Sequence, residues 1–175
     1  MQELEIESIR VRPETSQRAV VLKVKDSNLF LPIFIGQFEV EAIRLKLLNV
    51  DVPRPMTHDL LDSVIGNLGG KVNSIVVSEL KEDTFFAKIV MECQGDVLEI
   101  DARPSDAIAL AVRTNSPIYA EEAVINQAGI PLEQDAEASD SGAGNNEDRA
   151  SVHEEELEKL SAYTDFIDTL DLGEI

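Results

Sequence analysis

The stretch from Leu98 to Arg113 constrains the fold of this chain more than any other. Residues 98–101 alternate apolar and acidic side chains, which predicts a half-buried β-strand. Pro104 fixes φ and lacks an N–H group, which suits the first turn of a helix. The next residues, 107–112, are all apolar, so we expect this helix to be largely buried.

Polar side chains cluster where that strand passes into that helix. Asp101 and Arg103 close the strand, and Ser105 and Asp106 can satisfy or favour the unpaired N–H groups of the first helical turn. Arg113 follows Asp106 by two helical turns and shares its face. One interpretation is a capped helix with a structural arginine–carboxylate pair. The other is a functional pocket at the junction.

Composition favours one domain with a real core and some additional length, since 43% of the 175 residues are hydrophobic. No apolar run approaches the roughly 20 residues that span a bilayer, and the acidic start lacks the features of a signal peptide. The single cysteine, Cys93, excludes an internal disulfide framework and a cysteine-based zinc cluster within one chain. We therefore expect a soluble cytoplasmic protein that does not bind membranes.

The net charge of −19 is unevenly distributed. Residues 1–130 carry 13 Lys and Arg against 20 Asp and Glu, a balance of −7, and residues 131–175 carry −12. Neither part has the basic footprint of a high-affinity nucleic-acid binder, whose affinity comes mainly from neutralising phosphates. We expect any nucleic-acid substrate to bind weakly.

Hydrophobic periodicity predicts two further helices between groups of strands. One runs from Gln37 to about Leu48, and the second from Thr57, its expected N-cap, to Leu68. The buried stripe of the first comprises Val40, Ile43 and Leu47. The fold class is therefore α+β, a mainly antiparallel sheet with inserted helices in a single domain, 1–130.

The chain changes character after that domain. Residues 131–152 have the composition of a disordered acidic linker. Residues 153–175 predict an amphipathic acidic tail helix, because apolar side chains recur there at helical spacing. Its exposed apolar stripe makes self-association plausible, and we expect a homo-oligomer, with a dimer favoured.

Residues 54–62 hold the second polar group of interest. His58 and Asp62 share a helix face, and Asp59 neighbours Asp62. A histidine with carboxylates can hold a divalent cation or act as a general base. The alternative is that Asp59 serves the helix terminus and His58 is an ordinary surface residue.

Glu39 and Glu41 are the third group. They are two residues apart and face different directions, so at most one joins a shared site. Glu41 is slightly preferred, because it lies one turn before Arg44; the alternative is a solvated acidic face. Ser105 is no serine-hydrolase nucleophile, since it lacks a paired base and a G-x-S-x-G context.

Four blocks of the sequence also form a pattern in chain order. They are L-P-I-F-I-G at 31–36, R-P-M-T-H-D-L at 54–60, D-A-R-P-S-D-A-I-A-L-A-V-R at 101–113 and P-I-Y-A at 117–120. Across roughly residues 5–130 they resemble the bifunctional nuclease domain family. The resemblance implies an α+β domain that cleaves both DNA and RNA. The polar members of the blocks are Arg54, Thr57, His58, Asp59, Asp101, Arg103, Ser105, Asp106 and Arg113.

The resemblance leads to one hypothesis, a nuclease assisted by a divalent metal ion, Mg²⁺ or Mn²⁺. Its candidate catalytic residues are His58, Asp59, Asp101 and Asp106. Its candidate substrate-binding residues are Arg54, Thr57, Arg103, Ser105 and Arg113, and its candidate metal ligands are Asp62 and Glu41. The alternative is a non-catalytic regulatory module that binds a small anionic ligand or a protein. In a third possibility the same residues tie helix ends together beneath an oligomer interface.

Overall fold

Eight β-strands and four α-helices follow one another in groups in the computed structural model of the protein, which describes residues 1–12 and 15–131. They are β1 (Gln2–Arg12), β2 (Gln17–Val24), β3 (Leu29–Phe34), α1 (Gln37–Leu47), α2 (Thr57–Asn67), β4 (Gly70–Lys81), β5 (Thr84–Cys93), β6 (Asp96–Ala102), α3 (Pro104–Thr114), β7 (Ile118–Ala120), α4 (Glu122–Ala128) and β8 (Ile130–Pro131).

The eight strands form a single sheet in the order β6-β5-β4-β7-β1-β2-β3-β8. All neighbouring strands are antiparallel except β4 and β7, which are parallel. The three residues of β7 join two groups of strands, since β7 pairs with β4 on one side and β1 on the other. The α+β prediction, with a mainly antiparallel sheet and inserted helices, is confirmed.

The described residues belong to one compact unit, Met1–Pro131. The predicted acidic linker, apart from Pro131, and the predicted tail helix, with the dimer expected from it, lie outside the described residues. In the part of the chain that is described, no helix is long and apolar enough to cross a membrane.

The helix α3 is the centre of the core. Its residues from Ala107 to Ala111 are all buried, as the apolar run predicts. Three of these five side chains are alanines, which let the helix backbone lie close to the sheet, and α3 packs on β4 and β5. It also contacts α1 and α2, which themselves contact β2 and β4 of the sheet.

The strand before α3 differs from its predicted burial. Leu98 and Ile100 of β6 oppose Met91 and Ile89, which are buried, yet they remain 43% and 44% exposed. The reason is that β6 lies at one edge of the sheet, where the apolar face is only partly covered. The predicted stripe of α1 is corrected as well, because Leu47 is exposed whereas Val40 and Ile43 are buried.

Candidate functional site

The N-terminus of α3 brings an arginine and a carboxylate together. Arg103 is the extended residue that precedes the helix, Pro104 is the first helical residue, and Asp106 is the third. Arg103 Nε donates to Asp106 Oδ2 at 2.8 Å and Nη2 donates to Oδ1 at 3.1 Å. This bidentate pair uses both carboxylate oxygens and fixes the plane of the guanidinium.

A second carboxylate reaches the same guanidinium from α1. Arg103 Nη1 lies 3.0 Å from Oε1 of Glu39, the third residue of that helix. The hydrogen bond with Asp106 is the main cause that raises the pKa of Arg103. Burial lowers this pKa by less, and the pair with Glu39 makes a further, smaller contribution that raises it. The guanidinium is therefore a permanent positive charge between two acidic side chains.

The helix α2 adds a buried imidazole. His58 Nε2 lies 3.2 Å from Asp106 Oδ1. Two candidate residues from separate blocks of the sequence are therefore in contact. An ionised carboxylate only accepts, so the proton of this bond lies on Nε2. The other ring nitrogen, Nδ1, is buried without a hydrogen-bond partner among the described residues. His58 is thus no surface residue, and its ring is oriented toward Asp106.

We call these four side chains, Glu39, His58, Arg103 and Asp106, the Arg103 cluster. Three of them lie in the first turns of three different helices. Helix N-termini carry partial positive charge and unpaired N–H groups, which favour anions. The cluster therefore lies where three positive helix ends and a guanidinium meet, and Arg103 itself is 67% exposed to solvent.

A second polar connection lies deeper between the same helices. Arg113 Nε donates to Asp59 Oδ1 at 2.6 Å, Nη1 to the carbonyl of Ala109 at 2.8 Å, and Nη2 to the carbonyl of Ala42 at 3.1 Å. One buried guanidinium therefore ties α1, α2 and α3 together. This supports the structural interpretation of Arg113 and leaves its substrate-binding role a prediction.

Asp59 also holds the start of α2. Its Oδ2 accepts from the backbone N–H of Met56 at 2.9 Å, and Met56, not Thr57, is the N-cap, which corrects the predicted cap. Burial alone would raise the pKa of Asp59, but the hydrogen bonds from Met56 and Arg113 outweigh it and lower the pKa. Asp59 therefore faces the helix junction, and its catalytic role is still a prediction.

Other predicted residues lie apart from the cluster. The preference for Glu41 is corrected. Glu41 pairs with Arg44 on the exposed side of α1 at 3.1 Å, and Glu39 is the glutamate of α1 that contacts Arg103. Asp101 is exposed on β6 opposite Lys88. Of the other candidates, Arg54 and Thr57 are exposed, Asp62 is half-buried and Ser105 is buried.

A metal ion does not fit the described residues as they stand. In residues 1–12 and 15–131, no group of three or more His, Cys, Asp or Glu side chains is arranged to hold one. The carboxylates of Glu39 and Asp106 face Arg103 instead. The predicted ligands Asp62 and Glu41 belong to different helices, and Glu41 is engaged by Arg44.

Sequence reasoning named Glu39 as a candidate but slightly preferred Glu41. A signal for Glu39 exists, because each of the three helices carries an acidic residue at its third position, namely Glu39, Asp59 and Asp106. Acidic side chains are favoured there by the positive helix end. The repeated position groups Glu39 with the two aspartates, whereas Glu41 has no such counterpart.

Comparison with known proteins places the chain in a protein family. The bifunctional nuclease domain matches residues 20–133, which include all of the Arg103 cluster. A protein of Mycobacterium tuberculosis that is named as uncharacterized is 37% identical over 169 residues, which cover 95% of each chain.

Plant proteins are also similar to this chain. Bifunctional nuclease 1 of Oryza sativa subsp. indica is 26% identical over 130 residues, covering 72% of this chain and 39% of the rice protein. Bifunctional nuclease 1 of Arabidopsis thaliana is 31% identical over 104 residues, covering 57% of this chain and 32% of the Arabidopsis protein. This chain thus spans well under half of the plant proteins that it matches.

Proposed function

Because the chain belongs to the bifunctional nuclease domain family, we propose that it hydrolyses phosphodiester bonds in DNA and RNA at the Arg103 cluster. The names of the plant relatives support the reaction class. The convergence of Glu39, His58, Arg103 and Asp106, from three helices, is the observation that carries the choice of site.

Arg103 would bind the phosphate. A guanidinium has five N–H groups, and three of those on Arg103 point at Glu39 and Asp106, which leaves two for another acceptor. Its side chain is mostly exposed, so a phosphate oxygen can approach without a rearrangement of the core. The positive ends of three helices act in the same direction and would stabilise charge that develops on the phosphoryl oxygens.

Asp106 would be the base. Its carboxylate is 31% exposed, whereas the ring of His58 is buried behind it, so a water molecule can reach Asp106. As the water oxygen attacks phosphorus, Asp106 takes its proton, the bond to the leaving sugar oxygen breaks, and that oxygen is protonated by solvent. His58 is then a positioning residue that orients the carboxylate by its hydrogen bond.

A second candidate is the non-catalytic module that binds a small anionic ligand. It is favoured by one observation, the pairing of both half-buried carboxylates with Arg103, because each carboxylate already has a cationic partner. The same helix ends and guanidinium would bind an anion without turnover. The balance of −7 over residues 1–130 also fits a small ligand better than a long polyanion.

Cleavage of labelled single-stranded DNA, duplex DNA and RNA by highly purified protein tests the proposal. We expect Asp106→Asn to reduce kcat/KM by about 100-fold or more. Asp62→Asn is the matched control, since Asp62 also lies on a helix of the site but outside the cluster, and it should keep the wild-type rate.

Equal cleavage by wild type and Asp106→Asn would reject the site. No cleavage of any substrate, whether with Mg²⁺, Mn²⁺ or chelator, together with saturable binding of a small phosphate compound, would favour the regulatory module.

A further inference from the structure

The Arg103 cluster contains the side-chain types of a divalent metal site. Glu39, Asp106 and His58 come from three helices, and two of them are carboxylates with charges that repel one another. Mg²⁺ and Mn²⁺ are commonly held by carboxylates of this kind, with histidine as a further ligand for Mn²⁺. A cation between the two carboxylates is favourable, because like charges near one another destabilise each other.

The guanidinium already supplies that cation. Its Nε and Nη2 engage both oxygens of Asp106, and its Nη1 engages Oε1 of Glu39. His58 donates to Asp106 through Nε2, so the nitrogen that faces the carboxylate offers no lone pair to a metal. A metal ion needs free lone pairs from several ligands at about 2.0–2.6 Å, and Arg103 already engages both oxygens of Asp106 and Oε1 of Glu39, so a metal ion between the two carboxylates would have to displace it.

We propose that Arg103 is the resident cation of this site and takes the place of a divalent metal ion between Glu39 and Asp106. The site would therefore admit Mn²⁺ or Mg²⁺ only when Arg103 is removed. The second consequence rests on the proposed function: hydrolysis of the phosphodiester substrate proceeds without a divalent metal.

Metal binding by the purified full chain tests the first statement without any use of activity. Free Mn²⁺ is measured by electron paramagnetic resonance during titration of the wild type, Arg103→Met and the double variant Arg103→Met/Asp106→Asn. We expect Arg103→Met to gain one Mn²⁺ site, at least tenfold tighter than any site of the wild type. The double variant should lose that site.

The control is Arg44→Met, which removes the guanidinium from the exposed Glu41–Arg44 pair on the same helix as Glu39. It should gain no Mn²⁺ site. Acidic residues elsewhere in the chain contribute equally to Mn²⁺ binding by every variant. The comparison therefore uses only the difference in Mn²⁺ binding between variants. Arg103 is mostly exposed, and circular dichroism checks that its variant is folded.

Two results would overturn the inference. One is a tight Mn²⁺ site in the wild type that Asp106→Asn abolishes, and this result requires no folded Arg103 variant. The other is a folded Arg103→Met protein with no gain in Mn²⁺ binding.

The activity arm is separate. Cleavage that persists in chelator after removal of metals supports the second consequence, and cleavage that requires Mg²⁺ or Mn²⁺ overturns it. Absence of all cleavage refutes the proposed function, whereas the Mn²⁺ titration still decides whether Arg103 is the resident cation.

Discussion

Arg113 and Asp59 lie 54 residues apart in the sequence, and Arg113 Nε is 2.6 Å from Asp59 Oδ1. The guanidinium of Arg113 also donates to the carbonyls of Ala109 and Ala42, so one side chain connects three helices. Only 4% of the Arg113 side chain is exposed. The relative position of α1, α2 and α3, and with it the Arg103 cluster, depends on this connection.

Replacement of Arg113 tests that dependence. Arg113→Met leaves two buried carbonyls and the Asp59 carboxylate without their donor, so we expect the free energy of unfolding to fall by about 2–4 kcal/mol. Urea denaturation measures the loss. Arg44→Met removes an exposed pair on α1 and should leave the free energy of unfolding essentially unchanged. Equal losses for the two variants would show that Arg113 does not hold the helices.

Asp59 should make the folded chain less stable as the pH falls into the acidic range. Its pKa is lowered in the folded chain, so the stabilisation is present above the unfolded pKa, about 3.9. It is lost as the pH falls from there through the lowered pKa of the folded chain. Urea midpoints measured from pH 6 to pH 3 should therefore decline less steeply below pH 4 for Asp59→Asn than for the wild type. Parallel declines would contradict this assignment.

Glu39 and Glu41 offer a matched pair of substitutions. Glu39→Gln weakens the contact with Arg103, so kcat/KM for RNA should fall by about tenfold, whereas Glu41→Gln should leave it unchanged. Both changes remove one negative charge from α1, and so a difference between them reports the cluster and not the net charge. A larger effect of Glu41→Gln would refute the position assigned to Glu39.

Gly36 lies beneath the carboxylate of Glu39. A Cβ added at Gly36 would overlap that carboxylate, although the backbone φ of −71° is accessible to alanine. We expect Gly36→Ala to fold with a cost of about 0.5–1 kcal/mol and to lower cleavage several-fold, because Glu39 must move. Thermal denaturation and kcat/KM separate the two effects.

Gly66→Ala is the control for that substitution. A Cβ at Gly66 meets nothing within 4 Å, and alanine should stabilise α2 by about 0.5–1 kcal/mol. Its rate of cleavage should equal that of the wild type. A wild-type rate for Gly36→Ala as well would show that the exact position of the Glu39 carboxylate is unimportant.

Much of the fold was predictable because its causes are local. Pro104 and the apolar run after it determine where α3 begins and that it is buried. The exposure of Leu98 and Ile100 was not predictable, since the alternation is the same in an edge strand and a central strand. Only the order of strands, which depends on contacts between distant residues, places β6 at the edge.

The site was predictable in its parts but not in its connections. Spacing along one helix could place Asp106 near Arg103, and the blocks singled out His58 as well. No spacing relates His58 to Asp106, which are 48 residues apart, because their contact depends on how α2 packs against α3. The choice between Glu39 and Glu41 failed for the same reason: periodicity shows that they diverge, and packing decides which one faces Arg103.

The three residues of β7 have a consequence for the order in which the chain folds. Ile118 pairs with Ile75 of β4 and with Leu4 of β1, so in the described part of the chain the two groups of strands pair only through a segment near the end of the domain. On the ribosome, the groups β1–β3 and β4–β6 can each pair by hairpins before this segment emerges, leaving open edges at β1 and β4. Release of residues 118–120 is then the step that closes both edges at once and commits the nascent chain to one sheet.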